Sequence, residues 1–177
     1  MNSFYVTGTD TGIGKTVAST ALLHALRLRG LHAVGMKPGA SGCAETADGW
    51  RNDDALALLA ASDPIPAYAD LNPYALPQPW APELAALDAG VVIELERIVR
   101  AYQRLRATAH GVVVEGVGGW AAPLSATLDQ VHLVRASIRK AEVGARDEDP
   151  MLGWGRFAQE PIQVLAIDSD HWDILEV

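Results

Sequence analysis

Apolar residues along the chain fall into short unbroken runs and longer stretches with helical spacing. Phe4-Tyr5-Val6-Thr7 is a short run that stops at Gly8 and predicts a buried strand. Lys15 to Arg29 places Val17, Ala18, Ala21, Leu22, Ala25, Leu26 and Leu28 in a helical pattern, with Gly30 as its stop. Ala33-Val34-Gly35-Met36 predicts a second strand, ended by Lys37-Pro38-Gly39. Strand, helix and strand within so short a span form a βαβ unit, which predicts an α/β fold with a parallel sheet.

Asp53 to Ala61 predicts a short apolar helix. The proline-rich stretch Asp63 to Pro82 reads as loop and turn rather than as a linker between domains. Two helices are expected over Pro82 to Leu87 and Val91 to Thr108. The second carries Ile93, Leu95, Ile98, Val99, Tyr102 and Leu105, an apolar face broad enough to pack on a sheet. Gly111 to Glu115 (GVVVE) is the clearest strand, followed by the glycine-rich turn Gly116 to Trp120. Beyond Gln130 the pattern weakens. Val131 to Lys140 reads as helix, Gly144 to Gly155 as loop and Ile162 to Ile167 as a further strand.

Composition narrows the classes of function. The 177 residues fit one domain. A formal net charge of −8 with no clustered basic face argues against nucleic-acid binding. The stretch Arg135 to Arg146 is interrupted by Glu142 and followed by Asp147, Glu148 and Asp149, as a solvated charged segment would be. Cys43 is the only cysteine, so no internal disulfide forms and a reducing compartment is expected. The sequence lacks a basic leader and a membrane-length apolar run, and the expectation is a cytoplasmic protein.

The strongest chemical signal is Gly8 to Thr16, GTDTGIGKT. Glycines let backbone N–H groups turn toward phosphate oxygens, and the helix that follows adds the positive end of its dipole. Lys15 is placed to reach the outer phosphates and Thr16 to put its hydroxyl on Mg²⁺. The usual pattern G-x-x-x-x-G-K-[ST] is missed by one place, because Thr9 stands where the first glycine belongs. Gly14-Lys15-Thr16 between a strand and a helix still predicts a nucleoside triphosphate site.

Such a site needs carboxylates, because Mg²⁺ takes oxygen ligands in octahedral geometry. Glu115 ends a buried strand, so a parallel sheet sets it at the same edge as Gly8, where ligands bind in open α/β sheets. Asp54 is the second candidate, although Asp53 or Asp54 would also serve as a helix cap. Lys37, at the end of the second strand, is either a surface lysine or a cation facing phosphate or an anionic substrate. His24, His32, His110, His132 and His171 show no ligand spacing, and the five tryptophans are dispersed as packing residues would be.

Taken together these motifs resemble the dethiobiotin synthetase family, ATP-dependent enzymes of biotin biosynthesis. The matching segments are FYVTGTDTGIGKT (Phe4 to Thr16), GMKPGASG (Gly35 to Gly42), RNDDALAL (Arg51 to Leu58), NPYALPQPWAP (Asn72 to Pro82) and VVVEGVGGWAAPLS (Val112 to Ser125). They stand in the family's order and spacing. The resemblance covers Phe4 to Gln130, while residues 131–177 depart from the family pattern as a divergent tail.

The resemblance implies a three-layer phosphate-loop NTPase-like fold with a mainly parallel sheet, incomplete on its C-terminal side. It implies a homodimeric cyclo-ligase that joins CO₂ to 7,8-diaminopelargonic acid with ATP and Mg²⁺, through a carbamate and a carbamic–phosphoric anhydride. Lys15 and Lys37 would be catalytic. Gly12, Ile13, Gly14, Lys15, Thr16, Val17, Asp54, Glu115, Gly116, Val117 and Gly118 would line the nucleotide site. Thr16, Asp54 and Glu115 would hold the metal. Thr11, Ser41, Pro79 and Trp80 would contact the diamine and carbamate. Gly12 stands where several relatives carry an acidic residue. Two other readings stay open: a related phosphate-loop ATPase switch, disfavoured by Thr9 and Asp10 where such switches carry an extra lysine, and a non-catalytic remnant.

Overall fold

The structure is a computed structural model that describes residues 2–119, 122–125 and 128–129. In chain order its elements are β1 (Asn2–Val6), α1 (Lys15–Leu28), β2 (Ala33–Met36), β3 (Gly39–Ala40), β4 (Ala44–Thr46), β5 (Gly49–Arg51) and α2 (Asp53–Ala61). There follow α3 (Tyr68–Leu71), β6 (Tyr74–Ala75), α4 (Pro82–Asp88), α5 (Leu95–Thr108), β7 (Gly111–Glu115), β8 (Pro123–Ser125) and β9 (Leu128–Asp129). The helix and strand expected in the tail lie outside the described residues.

The main sheet is parallel, as expected, with β7 between β1 and β2. Val6 stands opposite Glu115 and Met36 opposite Val114, so the three strands end together at one edge. Side chains alternate across the sheet. Val112 and Val114 of β7, with Val34 and Met36 of β2, point to a core formed with α4, α5 and Leu124. Val113 and Ala33 point the other way, to Leu23 and Leu26 of α1, Ala55 and Leu58 of α2, and Leu71 of α3. Apolar surface on both faces is what a parallel sheet between helix layers requires, and the three-layer expectation holds. The outer edge of β2 is covered by the segment after α2: Asp63 N–H donates to the Ala33 carbonyl (2.8 Å) and Gly35 N–H to the Ser62 side-chain Oγ (2.9 Å).

Several local expectations are refined. The α1 residues that go inward are Lys15, Ser19, Leu23 and Leu26, while Val17 and Leu28 are exposed. Helix α5 begins at Leu95, four residues later than the apolar pattern suggests, with Ile93 buried ahead of it. The proline-rich stretch is mostly loop but contains α3 and β6, and β6 pairs with β3 in parallel. Two-residue strands of this kind carry too little periodicity to show in sequence.

Gly35 marks the tightest approach between sheet and helix layer. A Cβ there would lie 2.8 Å from Leu58 Cβ and 3.3 Å from Leu23 Cδ1. Gly35→Ala therefore overpacks the core, and a loss of about 1–3 kcal/mol is expected. Urea unfolding should show a lower midpoint at unchanged slope.

Candidate functional site

The site forms where the sheet ends. Val6 leads into the phosphate loop, Met36 leads into Lys37, and Glu115 closes β7, so register alone brings the three together. Gly14 adopts φ +87° at the start of α1, and Gly12 φ +78°, conformations costly for residues with a Cβ. Among the described residues no side chain caps α1, leaving its first N–H groups for another acceptor. Gly8 packs directly on Ile13, and a Cβ at Gly8 would overlap Ile13 Cδ1. Lys15 Nζ donates to the Asp10 carbonyl, folding the lysine back over its own loop.

Lys37 lies at the centre. Its ammonium donates to Glu115 Oε1 (2.6 Å), Asp54 Oδ2 (3.0 Å) and the Gly116 carbonyl (3.2 Å), which uses all three of its donors. Thr16 Oγ1 donates to Glu115 Oε1 as well (2.9 Å). Glu115 is 0% exposed and Lys37 3%, while the Asp54 side chain is 46% exposed. Burial pushes the Asp54 carboxyl up, but Lys37, then Thr16 and Lys15, outweigh it and hold the carboxyl below its ordinary range. The Lys15 ammonium is pulled below its usual range, first by burial and then by the like charge of Lys37. Glu115, Asp54 and Asp10 oppose that pull.

The cap of α2 explains how Asp54 is available. Asn52, rather than Asp53 or Asp54, caps this helix: its Oδ1 accepts from Ala55 N–H at 3.2 Å. Asp54 in the first turn is thereby left for Lys37. Asn72 is a positioning residue that sequence reasoning passes over. Its Nδ2 donates to the Lys37 carbonyl (2.7 Å), and Lys37 N–H donates to Leu71 O (2.7 Å). Its sequence signal was a polar residue between Leu71 and Pro73. Gly119 is another, because a Cβ there would lie 2.7 Å from the Thr9 carbonyl oxygen. The second glycine-rich turn can close on the phosphate loop only without a side chain at that point.

The remaining expected residues fall into three groups. Val17 lies exposed in the first turn of α1. Gly116 N–H donates to Val6 O (2.9 Å), Val117 packs on the α5 side of the core, and a Cβ on Gly118 would lie 4.0 Å from Thr11 Oγ1. Ser41, Pro79 and Trp80 belong to a second patch. Gly42 N–H donates to Gln78 O (2.9 Å) and Cys43 N–H to Leu76 O (3.0 Å), which lays the segment after Ser41 beside Pro79. The histidine spacing hid one cluster. His32 and His110 stack at 5.3 Å, with His32 Nδ1 3.2 Å from Asp63 Oδ2, at the opposite edge of the sheet. Among the described residues no three His, Cys, Asp or Glu side chains are arranged to hold a metal.

The donor set suits Mg²⁺ all the same. Glu115 Oε2 is buried and has no partner among the described residues. Such an orphaned oxygen is costly unless something binds it. With Thr16 Oγ1 and Asp54 it would offer hard oxygen ligands of the kind Mg²⁺ takes.

A family model described as AAA domain matches residues 2–137. The chain belongs to the AAA-domain family. Its α/β architecture is that of a phosphate-loop NTPase domain of this family. The AAA domain is also similar to curated relatives named ATP-dependent dethiobiotin synthetase BioD. The protein of Xanthomonas oryzae pv. oryzae (strain PXO99A) is 75% identical over 134 residues, covering 76% of this chain and 60% of that protein. That of Xanthomonas euvesicatoria pv. vesicatoria (strain 85-10) is 73% identical with the same coverage. That of Xylella fastidiosa (strain 9a5c) is 65% identical over 136 residues, 77% of this chain and 60% of its own. The chain thus spans about 60% of the length of the curated relatives it matches. Among the described residues no helix is long and apolar enough to cross a membrane.

Proposed function

We propose that this AAA domain carries the phosphate-handling half of a dethiobiotin synthetase site, closing the ureido ring of 7,8-diaminopelargonic acid with CO₂ and ATP. The observation that carries the reading is the meeting of Lys15, Thr16, Lys37, Asp54 and Glu115 at one sheet edge. The relatives' printed names support ATP-dependent dethiobiotin synthesis; the substrates and route come from the family resemblance.

In this reading one amine of the diamine adds to CO₂ and loses a proton, giving a carbamate. A carbamate oxygen takes the γ-phosphoryl group, and ADP leaves. The second amine attacks the carbonyl carbon and gives its proton to the departing phosphate or to water, the carbon–oxygen bond to phosphate breaks, and the ring closes. Phosphoryl transfer of this kind depends on positioning and charge neutralisation rather than on a covalent nucleophile. Lys15 and the first-turn N–H groups of α1 would hold the outer phosphates. Lys37 would steady the carbamate and the phosphoryl oxygens. Thr16, Asp54 and Glu115 would hold Mg²⁺, which supplies charge neutralisation when bound. Thr11, Ser41, Pro79 and Trp80 would border the diamine. Residues 1–177 are read as one domain from their number and as cytoplasmic from the lone cysteine, and the homodimer is the part of the proposal that rests on the family resemblance.

The test is direct. Folded protein incubated with diaminopelargonate, bicarbonate, Mg²⁺ and ATP should yield dethiobiotin by mass spectrometry, with one phosphate released per ring closed. ATP hydrolysis that proceeds equally without the diamine, or no product at all, would overturn it.

A further inference from the structure

The geometry points to Lys37 as the residue that makes the cation site take a metal–nucleotide complex in preference to free metal, an inference that rests on the metal and nucleotide roles proposed above. Lys37 Nζ lies between the two carboxylates of the cation site, 2.6 Å from Glu115 Oε1 and 3.0 Å from Asp54 Oδ2. It is buried and fills the position of a cation already. Among the described residues, Glu115 Oε2 is the carboxylate oxygen left buried and unpartnered there.

A divalent ion bound to both carboxylates would stand beside this ammonium at contact range. Like charges so close and so buried repel strongly, so the lysine has to leave as the metal enters. Leaving costs it two carboxylate partners, and a buried charge that loses its partners is heavily penalised. Free metal brings no anion in exchange. A metal–nucleotide complex does, because its phosphate oxygens arrive at the same sheet edge, beside Lys15 and the loop. The lysine then exchanges carboxylate for phosphate at little net cost. The backbone of Lys37 stays fixed by Asn72 and Leu71 throughout, so the movement is confined to the flexible four-carbon stem.

The probe is Mn²⁺, followed by water proton relaxation, with and without a non-hydrolysable ATP analogue. Wild type should bind free Mn²⁺ weakly and the Mn²⁺–analogue complex far more tightly. Lys37→Met should bind free Mn²⁺ roughly tenfold or more tighter than wild type, since the buried Glu115 and the half-exposed Asp54 then lack their cation. Adding Glu115→Gln to that variant should remove the gain. Equal or weaker Mn²⁺ binding by folded Lys37→Met overturns the inference. A second measurement needs no variant: acetylation of Lys37 by acetic anhydride, read by peptide mass spectrometry, should rise several-fold at saturating Mn²⁺. Unchanged labelling overturns the inference as well. If wild type takes the Mn²⁺–analogue complex and Lys37→Met shows no gain, this inference fails alone. If wild type takes neither probe, the proposed nucleotide site fails with it.

Discussion

Replacing Lys15 with alanine is expected to slow ATP-dependent ring closure by on the order of 10³-fold, while the urea midpoint of unfolding barely moves. The lysine opens α1, where the helix dipole and the uncapped N–H groups already favour an anion. Its ammonium is tethered to the Asp10 carbonyl of its own loop, which in the proposed function would hold it where negative charge develops. Losing it removes stabilisation from the transition state more than from the ground state, and kcat should fall more than KM rises. Stability should be spared, because Lys15 repels Lys37 and burial already disfavours its charge. Lys15→Arg should recover little activity, since a planar fork cannot reproduce a compact point charge inside a closed loop. An assay of ADP release with diamine present, set beside urea titration of the same samples, tests both halves.

Glu115→Ala should differ in lowering stability as well as activity. Glu115 is fully buried and accepts from Lys37 and Thr16 at once. Without it, Lys37 keeps only the half-exposed Asp54 and one carbonyl. A loss of about 3 kcal/mol in unfolding free energy is expected, the scale for a buried charge deprived of its partner. Glu115→Gln should lose less stability, because an amide oxygen still accepts both hydrogen bonds, yet it should lose the Mg²⁺ response as severely. The double variant Lys37→Met with Glu115→Leu should regain most of the stability, since two apolar side chains replace the pair, and remain inactive. A double variant as unstable as Glu115→Ala would show that the pair supports the fold in some way beyond its charges.

The sequence made the frame of this site legible. Short apolar runs identified β1, β2 and β7, and the glycines of the phosphate loop announced the turn before α1. Parallel strands then required Gly8, Lys37 and Glu115 to share an edge. The partners of Lys37 were not legible. Nothing in sequence says that β7 inserts between β1 and β2, and that order is what sets Glu115 within 2.6 Å of Lys37. Asp54 looked as much a helix cap as a ligand, and only the geometry of Asn52 separates the roles. Asn72 and Gly119 act through one hydrogen bond and one close approach, contacts between segments distant in the chain. The short pairings of β3 with β6 and β4 with β5 depend on the same tertiary context.

The position of β7 also governs the order in which the protein can be assembled. Among the described residues β1 and β2 do not pair with each other; both pair with a strand that leaves the ribosome long after them. Until Gly111 to Glu115 has been synthesised, both earlier strands lack their ladder partner, and Lys37 lacks its buried carboxylate. Contacts so far apart in the chain are slow to close, and unpaired apolar strands are prone to associate wrongly while they wait. A nascent chain halted before β7 should therefore be a client for chaperones, and the ability to hold nucleotide should arise in a single late step rather than grow with length.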